Sequence, residues 1–153
     1  MTATPRTSKA MPKAAWCTPM LHVRDVAASI RFYEKLGFQL IDTEGTDDCL
    51  IWARVHCEGG ALMFVPSEHE VKADQQGVLF YLYTDDLAAL REHLVAQGVA
   101  CSDVRRPEYM PSGEMSLRDP DGYCILIGHW GDAEHDQWLK RIPEKQARWA
   151  ERS

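Results

Sequence analysis

The sequence has no CxxC pair, no HxxxH or HxH group, no GxSxG elbow and no apolar run near the roughly 20 residues that cross a bilayer. Each absence removes a class: zinc ribbons and redox dithiols, zincin-type metalloenzymes, serine hydrolases of the elbow type, and membrane-spanning proteins. Basic charge is also in short supply, with 17 Lys and Arg against 23 Asp and Glu and a net charge of -6. Nucleic acid is therefore not expected as a partner, because that role needs a clustered basic face. The five cysteines, Cys17, Cys49, Cys57, Cys101 and Cys124, are odd in number and scattered, which fits reduced thiols better than a disulfide framework. The opening residues lack the apolar segment of a secretory signal, so a cytoplasmic protein is expected. Residues 1–15 read as a flexible leader.

What is present is a plan stated twice. In residues 18–38, TPMLHVRDVAASIRFYEKLGF, an extended run leads into an Asp-Val helix start and a Leu-Gly stop. Residues 78–99, VLFYLYTDDLAALREHLVAQGV, repeat it, with Asp-Asp-Leu and Gln-Gly as the corresponding signals. A period near 60 residues points to duplicated supersecondary units. In the first unit we expect a strand over 16–23, a helix over 26–36 and strands over 38–42, 49–56 and 61–65. In the second, a strand over 78–84 and a helix over 87–97 precede strands over 101–105, 114–118 and 123–128. The tail over 131–153 carries Trp138, Leu139, Ile142 and Trp149 among charges and is helix-prone, with Pro143 as an interruption; its tryptophans suggest packing on the body or on a partner chain.

Three segments, VRDVAASIRFYEKLGF, TDDLAALREHLVAQGV and LRDPDGYCILIG, in this order and spacing, resemble the vicinal oxygen chelate superfamily of glyoxalase I, extradiol dioxygenases, fosfomycin resistance enzymes and bleomycin resistance proteins. The resemblance covers residues 17–130. It implies an α+β fold of two βαβββ modules, 16–66 and 77–130, forming a partly open barrel around a cavity, commonly in a homodimer. The metal-binding members place His or Glu at four inward strand positions, which fall here on Thr18, Met63, Leu79 and Leu126. A hydroxyl, a thioether and two alkyl groups do not suit a divalent ion, so no metal and no other cofactor is expected. The opening motif is most similar to the metal-free bleomycin resistance proteins. That similarity implies a protein that sequesters an organic ligand, such as an antibiotic, in a cleft.

Strand alternation puts Thr18, Met20 and His22 on one face, as it does Ala61, Met63 and Val65, and Leu79, Tyr81 and Tyr83. If these faces point inward, they line an apolar and aromatic pocket; the bland alternative is a closed core. Expected ligand-binding residues are His22, Trp52, Met63, Tyr81, Tyr83 and Glu114. Catalytic residues are not identified; His22 and Glu114 are the candidates in the alternative reading, a metal-dependent lyase or dioxygenase with a displaced site, or a metal-free isomerase. A third reading is a structural or regulatory dimer whose tail meets another protein. The remaining histidines read as surface residues.

Overall fold

The computed structural model describes Ala14 and residues 16–152; apart from Ala14, the expected leader lies outside the described residues. The elements follow in the order β1 (Met20–Val23), α1 (Val26–Lys35), β2 (Gln39–Thr46), β3 (Cys49–Cys57), β4 (Gly60–Pro66), β5 (Leu79–Thr84), α2 (Leu87–Ala96), β6 (Glu114–Arg118), β7 (Cys124–His129) and α3 (Asp132–Ala150). They build a four-stranded sheet ordered β1-β4-β3-β2 and a three-stranded sheet ordered β5-β7-β6. In each, the strand before the helix pairs in parallel with the last strand of its module. The sheets do not close on one another, so the barrel is partly open.

Local signals explain the helices. Asp25 accepts the Ala28 N–H at 3.0 Å and Asp86 accepts the Ala89 N–H at 2.9 Å. Each cap contributes about 1 kcal/mol. Gly37 and Gly98 then end the helices at φ of +86° and +78°, a backbone state that glycine adopts without the Cβ penalty.

One core joins the modules. Leu21, Val23, Tyr33 and Phe64 from the first are buried with Leu94, Met115, Ile125 and Ile127 from the second. Tyr33 is central, its ring 5.2–5.4 Å from those of Phe32, Phe38 and Phe64. Its hydroxyl donates to Asp119 at 3.1 Å, and Asp121 accepts the Arg24 N–H at 2.9 Å. Asp119 also accepts the N–H groups of Asp121 and Tyr123, both at 2.9 Å. The DPDG turn is thus a clasp between modules as well as a strand connection. Burial raises the Asp119 carboxyl above the usual range, while its hydrogen bonds work the other way.

Four sequence expectations are corrected. The first strand begins at Met20, because Pro19 restricts the preceding residue and brings no N–H to the ladder. Strand β2 runs on to Thr46, absorbing a register shift at Gly45, so the turn is only Asp47-Asp48. Residues 101–105 form no regular strand. Ser102 and Arg105 pair with Ser116 and Glu114, three residues against two, and the Ser116 N–H goes to the Ser102 hydroxyl at 2.9 Å instead of to a backbone carbonyl. Finally, α3 runs through Pro143 as one helix, and none of its residues is buried. Trp138 and Trp149 are 47% and 70% exposed, so the tail does not pack on the body of its own chain along its length. Its first turns are held: Glu134 accepts the Gly131 N–H at 2.9 Å and the Ser112 hydroxyl.

Candidate ligand-binding faces

With one side of each sheet committed to the core, the other side carries the chemistry. On the second sheet, register aligns Tyr83, Gly128 and Glu114 in one row and Tyr81, Leu126 and Ser116 in the next. Glu114 is fully buried although it opens an edge strand. Gly128 makes this possible: a Cβ there would stand 3.0 Å from the Tyr81 ring and 2.9 Å from the Met110 methyl. With that space free, Tyr81 reaches across and donates to one Glu114 oxygen at 2.6 Å.

The other oxygen is served from the segment between residues 105 and 113. Arg105 Nε donates at 2.8 Å, a second Arg105 nitrogen lies at 2.5 Å, and the Tyr109 hydroxyl donates at 2.7 Å. Burial alone would raise the Glu114 carboxyl, but the bonds from Tyr81, Tyr109 and Arg105 prevail and hold it below the usual carboxylate range. Burial and the same carboxylate push the Tyr81 hydroxyl well above its ordinary value. Glu114 is therefore an ionised hub that fixes Arg105 and Tyr109 over the sheet, and both of these remain exposed on their outer sides.

From this hub a file of rings extends. Tyr81 and Tyr83 lie 5.2 Å apart, Tyr83 and Trp130 5.3 Å, and Trp130 and Trp138 6.3 Å. The first sheet presents a different surface. Its outer face combines Met20 and His22, Ala61 and Met63, and Trp52, Arg54 and His56. Arg54 Nε donates to His56 Nε2 at 2.8 Å, presenting a cationic group beside the Trp52 ring and the Met63 thioether.

Of the six expected residues, Tyr81, Tyr83 and Glu114 share the second sheet, and Trp52, Met63 and His22 share the first. His22 and Glu114 are not brought together. His22 borders a polar cleft of about 360 Å³ with Ser67, Glu70, Lys72 and Gln75. A larger cleft of about 580 Å³ lies between the end of α1 and β6, with Lys35, Cys101 and Asp119 in its walls. None of Trp52, Met63, Tyr81, Tyr83 and Glu114 lines either cleft; the first four stand on open faces, and Glu114 is buried beneath its partners. Thr18, Met63, Leu79 and Leu126 do not offer a donor set that fits a divalent ion. Among the described residues, no three or more His, Cys, Asp or Glu side chains group as ligands. Arg105, Tyr109, Arg54 and His56 were not expected; strand alternation carried from Trp52 through Arg54 to His56 would have found the last two.

Among the described residues, no helix is long and apolar enough to cross a membrane. No curated protein matches the chain by sequence. Among solved structures, a bleomycin-binding protein complexed with bleomycin is 21% identical with a TM-score of 0.62, covering 77% of this chain and 100% of that one. TnmS3, an antibiotic binding protein from Streptomyces sp. CB03234, is 24% identical with a TM-score of 0.62, covering 79% and 99%. A glyoxalase/bleomycin resistance protein from the same organism is 25% identical with a TM-score of 0.56, covering 72% and 96%. A sequence model of the Glyoxalase/Bleomycin resistance protein/Dioxygenase superfamily matches residues 14–127, most of the chain, and the protein belongs to that family.

Proposed function

We propose that the protein is a metal-free binding protein that sequesters a small organic molecule, of antibiotic type, between the outer faces of its sheets in a cytoplasmic homodimer. The observation that carries this is the outer face of the second sheet. Tyr81, Tyr109 and Arg105 are already fixed on a buried carboxylate, beside exposed rings, with no ligand needed to organise them. Preorganised polar tips among apolar and aromatic surface are what an organic ligand requires. A single chain leaves this face open, and so does it leave Trp52, Arg54 and Met63 on the first sheet. A second copy that laid its first sheet against the second sheet of its partner would turn two open faces into a cleft, and repeat the same cleft by symmetry. The solved structures that bind bleomycin or another antibiotic share the fold and support the reading.

The test is a thermal-shift screen of organic ligands on metal-depleted protein, with sedimentation to measure the oligomer and chromatography to measure turnover. Binding without ligand conversion, in a dimer, is the expected result. About one tightly held metal ion per chain, or conversion of a bound ligand, would replace the reading with an enzymatic one.

A further inference from the structure

We propose that α3 is one wall of the ligand site, with Tyr83, Trp130 and Trp138 forming a stacking strip for a flat aromatic cation. This rests on the small-molecule reading above and names the ligand class for it. The family match ends at residue 127, so Trp130 and Trp138 belong to a part of the chain that the family model does not cover. Yet these rings continue the file that starts inside the family domain, with 5.3 Å from Tyr83 to Trp130 and 6.3 Å from Trp130 to Trp138.

The strip is held in place before any ligand arrives. The Trp130 N–H donates to Thr84 O at 2.7 Å, and the His129 N–H to Gly113 O at 2.8 Å. Glu134 then ties the first turn of α3 to Gly131 and to Ser112, which ends the segment carrying Tyr109. The same helix start thus meets both the ring file and the strap above Glu114. Its rings meet at tilted or edge-on angles, 57° for Tyr83 with Trp130 and 76° for Trp130 with Trp138. An edge-on contact covers one face of one ring and leaves the others free, and Tyr83 and Trp138, the latter also 5.6 Å from the His135 ring, remain 60% and 47% exposed. A strip that served only to anchor the helix would bury its rings.

Charge selects the occupant. Indole and phenol faces attract cations through the ring quadrupole. The chain carries -6 overall, and the strip's residues are followed in sequence by Asp85 and Asp86 after β5 and by Asp132, Glu134 and Asp136 at the start of α3, of which Asp86 and Glu134 cap the two helices. A flat cationic ring system meets both conditions. An anionic one meets only the first.

The experiment is a fluorescence titration with proflavine, a flat aromatic cation, with 2-naphthalenesulfonate as the flat anion and cyclohexylammonium, read by calorimetry, as the non-aromatic cation. Proflavine is expected to bind more tightly than either. Trp138→Ala and Tyr83→Ala should each weaken it by roughly tenfold, Trp138→Phe should recover most of the loss, and Trp16→Ala should leave binding unchanged, since Trp16 is 87% exposed and outside the strip. Equal proflavine affinity in wild type and Trp138→Ala, or preference for the anion, would overturn the proposal. So would conversion of a dimer into monomers by Trp138→Ala, which would make the strip an interface between copies. If screened ligands bind but respond only to substitutions at Tyr81 or Met63, the small-molecule reading stands and the strip falls. If no ligand of any class binds, both fall.

Discussion

The two modules follow one plan and differ at one connection. In the first, β2 and β3 meet through Asp47-Asp48 and pair along a long hairpin that absorbs two register shifts. In the second, the corresponding partner of β6 is reduced to bonds at Ser102 and Arg105, and residues 106–113 replace the tight turn. What the second module gives up in strand pairing returns as polar chemistry, because that segment brings Tyr109, Met110 and Ser112 over the sheet. The duplicated plan supplies the scaffold, and the departure from it supplies the candidate site.

That comparison can be broken at several points. The largest effect is expected from Tyr33→Ala, which empties the centre of the shared core and should cost about 3–5 kcal/mol in urea denaturation. Since Tyr33 belongs to the first module but bonds to Asp119 of the second, both modules should unfold in one transition; two separate transitions by fluorescence and circular dichroism would show them to be independent. Glu114→Gln should cost about 2 kcal/mol and release Arg105 and Tyr109, visible as faster proteolysis within residues 105–113, with the first module unchanged. Gly128→Ala should cost about 1–2 kcal/mol and weaken any ligand that needs Tyr81, because the new methyl takes the space through which Tyr81 reaches Glu114. The smallest effect is in pH. Glu114 titrates below its unfolded value of about 4.3, so its contribution is present above that pH and lost as pH falls through the folded value. Glu114→Gln should flatten this acid branch of the stability profile, and an unaltered branch would assign it to other carboxylates.

The sequence was most legible where structure is local. Asp25, Asp86, Gly37 and Gly98 announced the helix ends because each acts on backbone groups within a few residues. The period-2 pattern likewise groups Met63 with Ala61 and Tyr81 with Tyr83 on shared faces, but it does not show which side of the sheet those faces take. Glu114 stands out as a carboxylate on the strand that leads into DPDGY, but its partners do not show in the sequence. Arg105 and Tyr109 lie in a Pro-containing segment without period, where side-chain direction is set by bonds to Glu114 on the next strand and not by the local pattern. The exposure of α3 on a single chain is illegible for a related reason: two tryptophans argue for burial against the body or a partner chain alike, and coverage is a property of the assembly.

The DPDG clasp has a consequence for how the chain is made. Arg24 and Asp121 are 97 positions apart, and Tyr33 and Asp119 are 86 apart. As the chain leaves the ribosome, the first module has its helix and four strands long before its buried tyrosine finds its hydrogen-bond acceptor. It must wait, with part of its apolar side uncovered, until the last strands of the second module have been synthesised. Long closures of this kind slow folding. Final consolidation is thus postponed until the DPDG turn of residues 119–122 has been made, and the apolar side of the first module stays partly uncovered in the interval.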